Sequence, residues 1–233
     1  MSSRTLALAS TLVAALAWGG AARAGGETGD CARTVAARVQ ARYEGVRDLE
    51  TRFTQKSQSV AFGGQGQEMR ARGVALFAKP GRMRWTYEQP EPSVVVSDGK
   101  TLWIYDPVAK EAQEFPVGEG FLSGTVVQFL LGEGKILEAF EVSAEGCGTE
   151  AVRLRLVPRV EASYEALELL VDPDTGDVRE SAVVDLFGNR TDVIFESMRA
   201  NVDVAPERFR FEPGPDVRVL RAGAPAGGGS DSQ

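Results

Sequence analysis

The chain has 233 residues and a net charge of −7, with 26 basic and 33 acidic side chains, two cysteines and no histidine. A chain this acidic is a poor general binder of nucleic acid or of an anionic membrane surface. The lack of histidine excludes Ser-His-Asp and Cys-His catalysis, histidine metal sites and imidazole pH switching.

Residues 1–24 read as a secretory signal. Arg4 supplies a positive start, Leu6 to Trp18 an apolar stretch, and Ala22-Arg23-Ala24 a small-x-small cleavage site. The apolar stretch is short for a bilayer span, and a retained anchor is the alternative. Cys31 follows the polar run Thr28-Gly29-Asp30, which is unlike a lipidation site. Cleavage near Ala24 removes Arg4 and Arg23 and no acid, so the charge moves from −7 to −9. What remains, about 200 residues, is enough for one domain with a sizeable core. In an oxidising compartment Cys31 and Cys147 are expected to form a disulfide, with two free structural thiols as the alternative.

Residues 25–31 are a short leader. From Ala32 to Asp48, Val35, Val39, Tyr43 and Val46 recur at helical spacing and predict one amphipathic helix, with Gly45 weakening its last turn. From Leu49 the period changes to two. Strands are expected at Leu49–Lys56, Arg72–Ala78 and Arg82–Glu88, with Gly63 to Gly66 as a loop between the first two. In the third strand Met83, Trp85 and Tyr87 share one face. Val94–Ser97 and Thr101–Tyr105 flank Asp98-Gly99, which suggests a tight type I′ turn. Further strands are expected at Glu111–Phe115, Tyr164–Val171, Val178–Phe187 and Arg190–Arg199. Short turns between neighbours predict an antiparallel meander. Leu122, Val126, Phe129 and Leu130 suggest a short helix interrupting it, and residues 222–233 lack the apolar bulk to stay ordered. A sheet this long must curl, and its concave face needs the cover that two apolar helix faces can provide.

Little in the chain recommends an enzyme. Asp172 to Asp177 has the look of a calcium loop, but its glycine falls one place early and no glutamate follows at the required distance. A hairpin turn explains it better. No phosphate-binding glycine loop, Cys-x-x-Cys pair or nucleophile elbow is present, and no carboxylate pair stands in an apolar setting. No metal or cofactor is expected. The informative feature is surplus apolar surface. Between Thr101 and Tyr105, Leu102 and Ile104 take one face while Trp103 and Tyr105 take the other, so both faces must pack against something. On periodicity alone, an ordinary sandwich core explains this equally well.

One long stretch narrows the choice. Lys79-Pro80-Gly81-Arg82-Met83-Arg84-Trp85, then Gln89-Pro90, then Val96 to Pro107 (Val-Ser-Asp-Gly-Lys-Thr-Leu-Trp-Ile-Tyr-Asp-Pro) resembles the LolA family of periplasmic lipoprotein carriers. Phe53-Thr54-Gln55 and Phe209-Arg210-Phe211-Glu212-Pro213 are similar to that family's opening and closing segments. The resemblance implies an open, incomplete antiparallel β-barrel lidded by helices over an apolar cavity, formed by a single domain over residues 32–221. It implies a non-enzymatic monomer that takes triacylated lipoproteins from a LolCDE-type transporter at the inner membrane and delivers them to LolB at the outer membrane. Met83 and Trp85 fall where the family places cavity-lining residues. With them we assign Tyr87, Val94, Val96, Leu102, Ile104, Leu122, Val126, Phe129 and Leu130 to the acyl-chain wall. Lys79 falls where many members carry a lid-contacting arginine, and a lysine makes a point contact where an arginine makes a fork. The alternative to a carrier is a lipid- or lipoprotein-sensing regulatory module on the same fold, which would form a stable complex with a membrane regulator instead of transferring cargo.

Overall fold

The computed structural model describes residues 24–60, 68–117 and 134–221. Helix α1 (Ala24–Glu44) is followed by β1 (Asp48–Gln58), β2 (Met69–Ala78), β3 (Arg82–Gln89), β4 (Ser93–Ser97), β5 (Thr101–Asp106) and β6 (Glu111–Pro116). Then come a single-turn helix α2 (Ile136–Ala139), β7 (Phe140–Glu145), β8 (Val152–Pro158), β9 (Tyr164–Val171), β10 (Val178–Asp185) and β11 (Arg190–Ala200). A 3-10 turn (Pro206–Phe209) and β12 (Arg218–Arg221) complete the described chain.

These twelve strands belong to one sheet in the order β12-β6-β5-β4-β3-β2-β1-β11-β10-β9-β8-β7. The two ends of that order, β12 and β7, do not meet, so the barrel is open. The meander is broken in two places. The runs β1 to β6 and β7 to β11 are joined along β1 and β11, from Leu49↔Ala200 to Gln58↔Arg190. β12 lies parallel to β6, the one parallel pair among the described residues of an otherwise antiparallel sheet. Neither long-range pairing has a local turn to announce it.

Every expected strand forms, within two or three residues of its expected ends. β7 and β8 are additional to the expected set, although Val152, Leu154 and Leu156 alternate cleanly with Arg153 and Arg155. Helix α1 starts at Ala24 and stops at Glu44, so the expected leader is its first turns and Gly45 ends it. The turn between β4 and β5 is not type I′: positive φ occurs at Gly99 alone, and Asp98 Oδ1 accepts from the amides of Lys100 and Thr101. Residues 1–23, the Gly63–Gly66 loop, the tail from 222 on, and Leu122, Val126, Phe129 and Leu130 lie outside the described residues.

The core fills the concave side. Val35, Ala36, Val39 and Tyr43 of α1 pack with Leu154 and Leu156 of β8, Leu167 and Leu169 of β9, and Phe53 of β1. A smaller cluster on the convex side joins Leu76 and Ala78 to Phe209.

Candidate functional site

Residues directly opposite each other in a sheet share a face, so the register identifies the concave wall. Phe53 stands opposite Gly73, and Gly73 opposite Tyr87. A Cβ at Gly73 would lie 1.9 Å from the carbonyl oxygen of Thr86, so only glycine fits there. With no side chain between them, Phe53 and Tyr87 meet edge to face at 5.2 Å. Trp85 adds edge contacts to Phe53 at 4.7 Å and to Phe77 at 5.4 Å. Met83 and Leu102 are buried beside them, while Trp85, Tyr87, Val95 and Phe115 are only half-buried. Burial pushes the Tyr87 phenol above its ordinary pKa.

The two halves of the concave face differ. On the β8–β10 half, Leu154, Leu156, Leu167, Val171 and Val178 are almost completely inaccessible. On the β3–β6 half and along β11, large apolar side chains keep part of their surface: Trp85, Tyr87, Phe115, Val193 and Phe195 are half-buried, and Ile104 is 37% exposed. The first half is a packed core, whereas the second retains apolar surface for something else to cover.

Helix α1 is held from Cys31 to its C-terminus. Cys31 is disulfide-bonded to Cys147 in the β7–β8 turn. Arg38 donates to the carbonyl of Pro173, and Gln40 donates to the carbonyl of Gly134 at 3.0 Å. Arg42 pairs with Asp177 at 2.7 Å. Tyr43 Oη accepts from the amide of Val178 at 3.1 Å, and burial pushes this phenol up to about 12. Lys79 Nζ donates to the carbonyls of Tyr43 (3.1 Å) and Glu44 (2.9 Å) at the helix C-terminus, where the Tyr43 carbonyl also accepts from the amide of Val46. The calcium-like segment therefore acts as an anchor: Asp177 holds Arg42, and Asp172 is occupied by the amides of Asp174 and Thr175 and by Arg179. Gly176 makes the close approach possible, since a Cβ there would lie 2.7 Å from the carbonyl oxygen of Arg38.

Residues 44–212, which include strands β1 to β11 of the open sheet and its aromatic concave wall, match the family model of the outer membrane lipoprotein carrier protein LolA. The chain belongs to the LolA family. An outer-membrane lipoprotein carrier protein of Alkalilimnicola ehrlichii is 31% identical over 188 residues, covering 78% of this chain and 81% of that protein. One of Chromobacterium violaceum is 29% identical over 205 residues, covering 86% and 94%. A solved structure of an uncharacterized conserved protein from Thermus thermophilus aligns with a TM-score of 0.50 at 16% identity, covering 82% of this chain and 99% of that one. At that identity the likeness is one of fold alone. LolA proteins are carriers and not enzymes. Among the described residues, no helix is long and apolar enough to cross a membrane.

Within this LolA sheet, the described positions among those assigned to the wall from sequence separate into two sets. Met83, Trp85, Tyr87, Leu102 and Ile104 share the concave face, since Met83 and Leu102 both stand opposite Ser97, and Trp85 and Ile104 both stand opposite Val95. Val94 and Val96 do not belong with them. Val96 pairs with Arg84 and Trp103, and Val94 with Thr86 and Tyr105, which places both on the convex face. There the segment after the 3-10 turn covers the sheet. Phe211 packs, with its ring tilted, against Trp103 at 5.4 Å and Tyr105 at 5.0 Å, and Arg82 lies over the Phe209 ring. The apolar residues on the outer face of β5 are thus packed by the chain itself. The wall residues missed from sequence are Val95, Phe115, Val193 and Phe195, together with Phe53. Val95 was open to detection by counting register through the β3–β4 hairpin. The β11 pair needed the non-local β1–β11 pairing.

Proposed function

We propose that the chain is a periplasmic chaperone. It accepts acylated lipoproteins released from the inner membrane by a LolCDE-type transporter, shields their acyl chains on the concave face, and delivers them to the outer membrane, to a LolB-type acceptor where one exists. The observation that carries this reading is the half-buried aromatic and aliphatic wall of Trp85, Tyr87, Val95, Phe115 and Phe195 in a LolA-family sheet. Each methylene removed from water contributes about 0.8 kcal/mol, so three acyl chains left in water would cost tens of kcal/mol. An acylated protein therefore needs a sheltering wall to cross an aqueous gap. Release needs no chemistry on the carrier if the next partner binds the cargo more tightly.

A transfer assay tests this. Purified protein lacking residues 1–24 is incubated with inner-membrane vesicles carrying a labelled lipoprotein and a LolCDE-type transporter with ATP. Labelled lipoprotein is expected in the soluble fraction, bound to the carrier. Label that stays with the vesicles overturns the proposal.

A further inference from the structure

The concave face is not apolar throughout. Along β1 its side chains run Leu49, Thr51, Phe53, Gln55 and Ser57, so the wall turns polar at the end of the strand remote from Lys79. There four neutral side chains form one hydrogen-bonded chain across three strands. Tyr87 Oη donates to Gln55 Oε1 at 3.0 Å, Gln55 Nε2 donates to Ser57 Oγ at 3.3 Å, and the Ser57 and Thr191 hydroxyls lie 3.4 Å apart. The register explains the grouping. Ser57 stands opposite Thr191, and the missing side chain at Gly73 lets Tyr87 lean across β2 toward β1. All four residues are half-buried, and the first of them is in edge contact with Phe53.

A surface that met hydrocarbon alone would gain nothing from such groups, because a polar group covered by hydrocarbon without a partner costs free energy. Leucine and phenylalanine would serve better. The band instead keeps hydrogen-bonding capacity to spare. The phenol, the amide and the two hydroxyls carry five N–H and O–H protons, of which the three bonds use three, and unused lone pairs remain on the same oxygens. The two spare protons are the second N–H of Gln55 and one hydroxyl proton of the Ser57–Thr191 pair. None of the four groups carries a charge at neutral pH, so the matching ligand groups are neutral and polar and lie next to alkyl chains, as ester and amide carbonyls do.

We propose that Gln55, Ser57, Tyr87 and Thr191 form a subsite for the ester and amide carbonyls at the acylated glyceryl-cysteine head of the cargo. This rests on the carrier function proposed above and adds an orientation to it. The head sits at the Ser57–Thr191 end, and the acyl chains run along the half-buried wall of Trp85, Val95 and Phe115. These are positioning residues: they select an acyl chain joined to a carbonyl over bare hydrocarbon.

The test uses two probes, a synthetic tripalmitoyl-glyceryl-cysteine lipopeptide and the hydrocarbon fluorophore diphenylhexatriene, with the wild type, the variant Gln55→Leu and the double variant Ser57→Ala/Thr191→Val, each of which removes a spare proton. Each variant is expected to bind the lipopeptide about five-fold more weakly, the value of one hydrogen bond, while binding diphenylhexatriene as the wild type does. A dialkyl-ether analogue of the lipopeptide, which lacks the ester carbonyls, should bind the variants and the wild type more nearly alike. Unchanged lipopeptide affinity in the folded variants overturns the subsite, and so does an equal loss for both probes. Should Gln55→Leu fail to fold, the Ser57→Ala/Thr191→Val variant alone decides. A wild-type protein that binds neither probe refutes the carrier function itself, an outcome separate from failure of the subsite.

Discussion

Met83 and Trp85 lie two residues apart on one face of β3, yet a charge at each meets different surroundings. Met83 is 6% exposed and stands between Phe77 and Ser97 in the sheet. A glutamate there would be an unpaired charge in the core, at a cost of about 3 kcal/mol or more. Trp85 is only half-buried, so a glutamate in its place can reach water while the wall is empty. Trp85→Glu is therefore expected to keep a native circular dichroism spectrum and lose lipoprotein uptake, whereas Met83→Glu should unfold or melt many degrees lower. A folded and fully active Trp85→Glu variant would show that this part of the face does not touch cargo. Lys79 poses a different question at the same scale. Its ammonium caps α1 through two carbonyls, an interaction worth about 0.3–1 kcal/mol. Lys79→Met should lower the melting temperature by a few degrees, and Lys79→Arg, which keeps the charge and the donors, should restore it.

At the scale of elements, one carboxylate ties β9 to β8 beside it and, across β10, to β11. Glu168 of β9 accepts from Arg155 of β8 at 2.9 Å and from Arg190 of β11 at 2.8 Å, and Arg190 also pairs with Asp192. Burial alone would raise the pKa of Glu168, but the bonds from Arg190 and Arg155 outweigh it and hold the carboxyl below its usual range. A folded-state pKa below the unfolded one contributes stability above the unfolded value, about 4.3, and that stability is lost as the pH falls through the folded value. Denaturant unfolding between pH 3 and 6 should show this acid limb, and Glu168→Gln should flatten it. A variant whose acid limb matches that of the wild type would show that other carboxylates dominate acid unfolding.

For the molecule as a whole, the disulfide decides how α1 is attached. Cys31 and Cys147 are 116 residues apart in sequence, and closing a loop of that size costs the unfolded chain entropy and raises its free energy by about 4–5 kcal/mol in the chain-entropy model. It bonds the first half of α1 to the β7–β8 turn, while Arg42 and Tyr43 fix the second half to the β9–β10 turn. Unreduced protein denatured in the presence of a thiol reagent should show no free thiol. The Cys31→Ser/Cys147→Ser double variant should unfold at a markedly lower denaturant concentration and expose α1 to proteolysis first. Two reactive thiols in the unreduced protein would remove the bond from this account.

The sequence by itself determined the elements that rest on local pattern. Alternation through Met83, Trp85 and Tyr87 specifies a strand with one apolar face, the spacing of Val35, Val39 and Tyr43 specifies the buried stripe of α1, and the density of motif from Lys79 to Pro107 specifies the family. These depend on neighbours a few residues away, which is where side-chain periodicity acts. Which face points inward at Val94 and Val96 was decided by pairing with Trp103 and Tyr105, because a sheet side chain takes its face from its cross-strand partners. The tertiary structure alone decided that β1 joins β11, that Phe209 and Phe211 cover the outer face, and that Gln55, Ser57, Tyr87 and Thr191 meet. Thr191 lies 134 residues from Ser57. No local period records a contact over that distance; it exists only because the curled sheet closes the loop and recovers the entropy of closure by burying its concave face.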